Sequence, residues 1–316
     1  MTMYTRRDVG RLALGGLFLR ARAAAAKIDS RINGVRIGAI TYSFRAIPDA
    51  EAIVRAYTTI GLGEMELMSN HAEALAGAPG GRGGGGGRRG GPPTPEQQAA
   101  REAAAKALHD WRMAATAATF APVRKKIADA GIDLALLCYN MNVHTTQDDE
   151  IEYAFQMASW LGVKAISTST QVSMAKRLAP FADKHKMMVG FHGHANTTDP
   201  DEVATPASFA AVMAASKYHG ANLDIGHYTE AGYDPVAFIE EHHARITNLH
   251  LKDKKKATNG GGNTPWGQGD TPITAVLKLL QKNKWDLPAN IEFEYDGDPL
   301  VEVPKCLQYC KDALAK

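Results

Sequence analysis

Four short apolar segments of this sequence each carry side chains that can bind a metal ion or exchange a proton. The segments are Met188–Asn196 (MVGFHGHAN), Asn222–His227 (NLDIGH), Asn248–Asp253 (NLHLKD) and Asn290–Glu294 (NIEFE). Side chains two residues apart in a strand point to one face, so His192 and His194 would lie together, as would Glu292 and Glu294. One such segment alone is typical of an ordinary turn or capping bond. Four in succession favour one shared site.

Strand-like segments alternate with helical segments along most of the chain. The predicted strands are Val35–Phe44, Gly63–Ser69, Ile132–Tyr139, Val163–Thr170, Met187–His194, Ala221–Gly226, Ile246–Asp253 and Ala289–Tyr295. The predicted helices are Asp49–Ile60, Phe120–Ala130, Asp148–Leu161, Ser173–Lys184, Pro206–Ser216, Pro235–His243, Pro272–Lys282 and Pro304–Leu314. Strands that alternate with helices pair in parallel through right-handed crossovers.

Eight such units fit an α/β fold, the (β/α)8 TIM barrel, whose sites lie at the C-terminal ends of the strands. The four chemically active segments fall at those ends. A doubly wound open sheet is the alternative. It usually needs a Gly-rich phosphate turn after its first strand, whereas here Gly38 is followed by ITYSFR.

A low-complexity segment interrupts the alternation after the second predicted strand. Residues Ala76–Pro95 contain GGRGGGGGRRGGPPTP, which cannot bury apolar surface. The following stretch, Gln97–Ala118, is Ala-rich and helix-prone. We predict a Gly-rich flexible insertion over residues 76–118 within the barrel. The arginines of the Gly-rich segment leave RNA binding as an alternative, which its lack of aromatic residues disfavours.

The N-terminus is predicted to be an export signal over residues 1–27, followed by the barrel over residues 32–316. Arg6 and Arg7 precede the weakly apolar run Leu12–Leu19, and Ala23–Ala26 offers a small-residue cleavage region. This arrangement resembles a twin-arginine (Tat) signal peptide and predicts a periplasmic or secreted protein. An irregular amphipathic helix is the alternative.

The composition limits the classes of partner. The 316 residues carry a net charge of +2, which gives no general attraction to nucleic acid or anionic lipid. We therefore expect no nucleic-acid partner, and no membrane partner after signal removal. Cys138, Cys306 and Cys310 form no CxxC pair for zinc, and a bridge between the last two is left open. A homo-oligomer is also left open.

Five motifs together resemble the xylose isomerase-like TIM barrel superfamily, the sugar phosphate isomerase/epimerase family. They are GEMEL, LDIGH, HLKDK, PWGQGDTPI and IEFE. The resemblance implies one divalent metal ion held by His192, Asp224, His250 and Glu292, with Glu294 competing with Glu292. The family commonly has a glutamate where this chain has His192. Two imidazoles and two carboxylates suit Mn, Co, Fe or Zn better than Mg.

The resemblance also implies an isomerase or epimerase-like enzyme acting on a small carbohydrate. A metal ion stabilises the enediolate that forms when the proton alpha to a carbonyl is removed. The expected catalytic residues are Glu294, His192, Lys252 and His227, and the expected substrate-binding residues are Glu66, His194 and Trp266. Trp266 would be a lid or would pack on the barrel rim.

Three other functions are weighed against this one. A 3-keto-glycoside lyase or hydrolase on the same scaffold is favoured by His192, which removes one of the two carboxylates that epimerases use. A non-catalytic carbohydrate-binding protein would bind without turnover. An abasic-site endonuclease shares the barrel, but balanced charge and predicted export disfavour it.

Overall fold

The computed structural model describes residues 26–80 and 94–315. Both the predicted signal peptide, apart from its last two residues, and most of the Gly-rich run lie outside these residues. The strands are β1 (Arg31–Ile32), β2 (Val35–Ile40), β3 (Glu64–Met68), β4 (Asp133–Cys138), β5 (Ala165–Thr168), β6 (Met188–His192), β7 (His219–Asp224), β8 (Ile246–Leu251) and β9 (Ala289–Ile291).

The strands form a closed barrel. From β2 to β9 each strand pairs in parallel with the next, and β2 also pairs with β9 through Gly38 and Asn290. Eight parallel strands therefore complete the cylinder, and the short β1 adds an antiparallel pairing to β2. The prediction of a (β/α)8 TIM barrel is confirmed.

Helices surround the barrel. They are α1 (Ala50–Ile60), α2 (Ser69–Leu75), α3 (Pro95–Ala114), α4 (Ala117–Asp129), α5 (Asp148–Leu161), α6 (Met174–His185), α7 (Pro206–Ala214), α8 (Ile225–Glu230), α9 (Pro235–His242), α10 (Ile273–Asn283) and α11 (Pro299–Ala315). The left-handed residues Gly61 and Gly162 end α1 and α5, as glycine allows without steric cost. None of the helices in the described ranges is long and apolar enough to cross a membrane.

Seven of the eight barrel strands are shorter than the sequence predicts, and β2 and β9 are the ones that matter for the site. After Ile40 the chain turns into a 3-10 helix over Thr41–Phe44, and β9 ends at Ile291. The hydroxyl of Ser43 ties this 3-10 helix to the segment that follows β9. It donates to the Ile291 carbonyl and accepts from the Phe293 N–H, at 3.0 Å each. Glu292 and Glu294 are thus held just beyond the strand.

The core lies between the barrel and the helices and is apolar, with fully buried side chains that include Phe120, Phe155 and Phe191. Helix α3 contributes no fully buried residue to it, and docks through the partly buried Trp111, which packs against Phe120, and through Arg112. The guanidinium of Arg112 lies 2.7 Å from the buried carboxylate of Glu73. Its attachment differs from that of the barrel helices because the Ala-rich segment has few large apolar side chains to bury.

Candidate metal centre and active site

A cavity opens at the C-terminal ends of the barrel strands, and about 630 Å³ of space lies within it and its mouth. One wall comes from the first strands and is uncharged, and the other comes from the last four strands and is rich in imidazoles and charge. The lining residues are Ile40, Tyr42, Met68, Cys138, Asn140, Ser169, His192, His194, Asn222, His227, His250, Lys252, Glu292 and Glu294.

Four consecutive strands bring one ligand-type side chain each to the floor of this cavity. His192 ends β6, Asp224 ends β7, His250 lies in β8, and Glu292 follows β9. Each offers one donor atom, and these atoms all lie within 4.8 Å of one another. All four side chains are buried. The spacing is that of a set of groups able to surround one ion.

The donor atoms of this group lack hydrogen-bond partners. His192 Nδ1, Asp224 Oδ2, His250 Nδ1 and Glu292 Oε2 are all buried and unpaired by hydrogen bonds. His250 Nδ1 does lie 2.9 Å from Glu292 Oε2. Buried polar atoms are nearly always satisfied. Four such atoms at one point fit an ion that would bind them all, although the Lys252 ammonium lies within 3.0 Å of the two oxygens. Two nitrogens with two oxygens are donors suited to Zn, Mn, Fe or Co.

The two oxygens of Asp224 have different roles. Oδ1 accepts the His227 N–H at 2.7 Å and caps α8, while Oδ2 remains without a hydrogen bond. Burial raises the pKa of this carboxyl to about 6, against the opposing effect of Lys252. For Glu292, burial also raises the pKa, but Lys252 and His250 outweigh it and hold the pKa well below its usual value.

Glu66 orients His250 from below. Its Oε2 lies 2.8 Å from His250 Nε2 and accepts from Asn248 and Asn290 at 2.9 and 2.8 Å. Its Oε1 accepts from the Ser167 hydroxyl. Because a carboxylate can only accept here, Nε2 carries a proton, and Nδ1 is the nitrogen that would bind an ion once it is deprotonated. Burial alone would lower the pKa of His250, but Glu66 and Glu292 raise it well above its usual value.

Lys252 lies among the carboxylates of the centre. Its ammonium is 3.0 Å from Asp224 Oδ2, 2.9 Å from Glu292 Oε2 and 2.5 Å from Glu294 Oε2. Burial on its own would lower the pKa of Lys252, yet the three carboxylates raise it above the usual value. The side chain is a buried, permanently charged ammonium.

Two further imidazoles face the cavity. His194 Nδ1 lies 2.6 Å from Glu202 Oε1, and its Nε2 lies 3.3 Å from the Ser169 hydroxyl. Since the carboxylate accepts the Nδ1 proton, Nε2 presents its lone pair towards Ser169 and the cavity. His227 Nδ1 lies 3.3 Å from the ammonium of Lys254. Burial, more than the neighbouring cations, lowers the pKa of His227 well below its usual value.

Most of the residues expected from the sequence meet at this cavity. His192, Asp224, His250 and Glu292 form the ligand-type group, and Glu294, Lys252, His194 and His227 line its mouth. Two expectations for substrate binding differ from the structure. Glu66 is fully buried beneath His250 and is absent from the cavity lining. Trp266 packs edge-on against Tyr309 of α11 at 5.6 Å, on the barrel rim rather than over the cavity.

Sequence reasoning missed Glu202, Ser169 and a layer of asparagines. Glu202 and Ser169 lie in loops, where no periodic pattern marks them. The asparagines did have a signal, because each precedes a ligand-type residue by two positions, as Asn222 precedes Asp224. A two-residue step keeps the same face of a strand, so the repeat predicts a polar layer directly below the ligands. Its members are Asn222, Asn248 and Asn290.

Comparisons with known proteins agree with this fold. The family model described as "Xylose isomerase-like TIM barrel" matches residues 97–312, more than half of the chain. An inosose dehydratase of Clostridium botulinum (strain Eklund 17B / Type B) is 26% identical over 156 residues, which are 43% of this chain and 51% of the relative. The chain thus spans about half the length of the curated relatives it matches.

Solved structures are similar over most of the chain. The probable 3-DHS dehydratase involved in petrobactin synthesis from Bacillus anthracis has a TM-score of 0.60 and 16% identity, covering 89% of this chain and 99% of that one. The IOLI protein with a bound zinc atom has a TM-score of 0.58 and 12% identity, covering 88% and 96%. At such identities the likeness establishes the fold alone.

Proposed function

The chain belongs to the xylose isomerase-like TIM barrel family, and on that premise we propose that it is a divalent-metal-dependent carbon–oxygen lyase for a keto-sugar or a similar polyhydroxylated ketone. It would remove the proton alpha to the carbonyl and expel an oxygen substituent beta to it. Relatives and structural neighbours named as dehydratases support this reaction type.

One observation carries the metal dependence. The four buried donor atoms of His192, Asp224, His250 and Glu292 converge on one point without hydrogen-bond partners. A divalent ion held there would act as a Lewis acid towards a carbonyl and a neighbouring hydroxyl, which acidifies the alpha proton.

His194 is the group we assign to proton removal. Its Nε2 lone pair faces the cavity, and Glu202 would stabilise the imidazolium that forms, because its carboxylate lies 2.6 Å from Nδ1. His194 then donates this proton to the leaving oxygen. The alpha C–H and beta C–O bonds break, a carbon–carbon double bond forms, and the proton leaves with the oxygen as water or an alcohol.

The cavity walls fit an uncharged carbohydrate. Asn140 and His227 can hydrogen-bond hydroxyl groups, and Ile40 and Met68 offer apolar contact to a ring face or an aglycone. Among the described residues that line the cavity there is no arginine, and the lining lysine is already paired with three carboxylates. Phosphorylated substrates are therefore not favoured, in keeping with the proposed export through the N-terminal signal.

An isomerase or epimerase is the second candidate, and Glu294 favours it. This carboxylate lines the cavity beside Lys252 and would be a second proton carrier, as reprotonation at another carbon or face requires. The elimination needs only His194. The replacement of a family glutamate by His192 leaves fewer carboxylates for two-base chemistry, which is why we place elimination first.

The decisive experiment follows deuterium from solvent into a panel of ketoses and 3-keto-glycosides, with detection of eliminated products. We expect metal-stripped protein to be inactive, activity to return with Mn²⁺ or Zn²⁺, and an unsaturated product to accumulate. Deuterated isomers without elimination would select the second candidate. Exchange that persists after complete metal removal would contradict the mechanism, and substrate binding without any exchange would indicate a carbohydrate-binding protein.

A further inference from the structure

The ammonium of Lys252 and a bound metal ion would compete for the same oxygens. Lys252 Nζ is 3.0 Å from Asp224 Oδ2 and 2.9 Å from Glu292 Oε2, and these are the carboxylate oxygens left without hydrogen bonds in the ligand-type group. The Lys252 side chain is only 3% exposed. Two cations cannot share these oxygens at full strength at so buried a position, because their repulsion is weakly screened there.

We infer that Lys252 is the resident counter-cation of the metal-free centre, and that metal binding moves its ammonium from Asp224 and Glu292 onto Glu294. Lys252 thereby sets the affinity of the centre for its ion. This inference rests on the metal site of the proposed function and adds a role for a residue that would not itself touch the ion.

Glu294 is the partner placed to receive the ammonium. Its Oε2 already lies 2.5 Å from Lys252 Nζ. Unlike the two ligand carboxylates, the side chain of Glu294 is 20% exposed and is not a member of the ligand-type group. The ammonium can therefore keep one carboxylate while it gives up the other two. Buried charges need a partner in both states, and this arrangement supplies one.

The pairing of Lys252 with Glu294 has consequences both in the metal-free centre and in the metal-bound centre. Without metal, Lys252 neutralises carboxylates that would otherwise repel one another on the cavity floor. With metal, the ammonium held by Glu294 would lie at the substrate side, where it can donate a hydrogen bond to a substrate oxygen. The metal-loaded centre would then present a cation that the empty centre keeps engaged.

The test compares metal affinities, not activities. Lys252→Gln is matched by Lys254→Gln, which removes the same charge from another buried lysine, one that pairs with Glu230 at 2.7 Å. Each protein is stripped with EDTA, and the dissociation constants for Mn²⁺ and Zn²⁺ are measured by competition with a chromophoric chelator. We expect Lys252→Gln to bind each ion at least about tenfold more tightly than wild type, and Lys254→Gln to change by less than about threefold.

Two further measurements keep the test decisive. Lys252→Gln should lower the melting temperature of the stripped protein, because its carboxylates lose their counter-ion, yet increase the rise in melting temperature on adding metal. A merely structural lysine would not give these opposite signs. Glu294→Gln, which removes the receiving carboxylate, should bind metal more weakly than wild type.

The outcomes separate this inference from the proposed function. Wild type that binds metal, with Lys252→Gln binding equally or more weakly, would overturn the role of Lys252 and leave the metal centre intact. If neither wild type nor Lys252→Gln binds Mn²⁺ or Zn²⁺, both the metal-dependent function and this inference are wrong. If Lys252→Gln does not fold, stronger or unchanged binding by Glu294→Gln would overturn the inference.

Discussion

The two ends of the barrel both bury charged side chains, but they treat them differently. At the end where the strands begin, Arg36 lies 2.6 Å from Glu64 and within 3.8 and 3.6 Å of Asp133 and Asp286. The cation there has three carboxylate partners, and within this group of residues one oxygen of Glu64 lacks a hydrogen bond. At the end where the strands finish, four ligand-type atoms lack hydrogen bonds and point at one another.

This difference distinguishes charged residues that stabilise the barrel from charged residues that are available to bind an ion or react. Arg36 and its carboxylates pair with one another at the N-terminal ends of the strands, where residues of TIM barrels contribute to stability. The opposite end contains carboxylates and imidazoles that the fold supports from beneath, through Glu66 and the asparagine layer, but does not complete. Such a centre costs stability until something binds, whereas at the other end Arg36 offsets part of the cost of burying Glu64.

The largest expected effect comes from removing a ligand-type carboxylate. Glu292→Gln should abolish retention of metal through dialysis and lower turnover by at least about a hundredfold, more than the loss of an outer-sphere partner would. Metal content is measured by elemental analysis and turnover by product formation.

Glu64→Gln at the other end of the barrel is the matched control, since it makes the same chemical change to another buried glutamate of the barrel interior. It should retain metal and turnover and lose no more than about 1 kcal/mol of unfolding free energy at neutral pH, because the cost of burying the Glu64 carboxylate already outweighs its attraction to Arg36. Loss of metal from Glu64→Gln, or its retention by Glu292→Gln, would break the division between the two ends.

A smaller effect is expected from Glu66→Gln, which tests whether the end with the metal centre is supported from below. The neutral amide no longer enforces the Nε2–H form of His250, so metal affinity should fall by about 10- to 100-fold without being abolished. Isothermal titration with Zn²⁺ measures this loss. Unchanged affinity would mean that Glu66 only fills space beneath the ligands.

Which features of the fold and the site could be predicted depends on how far apart in the sequence the interacting residues lie. The alternation of strand and helix is local, so the barrel and the convergence of Asp224, His250 and Glu292 could be expected from the sequence. The burial of Glu66 could not, because its partners Ser167, Asn248 and Asn290 come from distant strands.

Hydrogen-bond partners that lie in loops could not be predicted from the sequence either. Glu202 reaches His194 from the loop before α7, and no periodicity marks loops. Trp266 illustrates the reverse case. Its Gly-rich surroundings suggested a lid, yet Tyr309 on α11, more than forty residues later in the chain, provides its packing surface. Composition alone could not decide between a lid and the rim.

The smallest effect concerns how stability depends on pH at each end. Burial raises the pKa of Asp224 from 3.8 to about 6. Burial also raises the pKa of Glu64 above 4.5, because its effect outweighs the opposing effect of Arg36. Each folded form therefore holds its proton more tightly than the unfolded chain. The resulting stabilisation is complete below the unfolded pKa and is lost as pH rises through the folded value.

Urea unfolding of EDTA-treated protein from about pH 4 to about pH 7 should thus show both losses. Bound metal should remove the part due to Asp224, because it excludes the proton, whereas Glu64→Gln should remove only the part due to Glu64. The stability difference between wild type and Glu64→Gln should shrink as pH rises, with or without metal. A difference that shrinks only in the metal-free protein would mean that the two ends are electrostatically coupled through the barrel, and that the separation drawn between them is wrong.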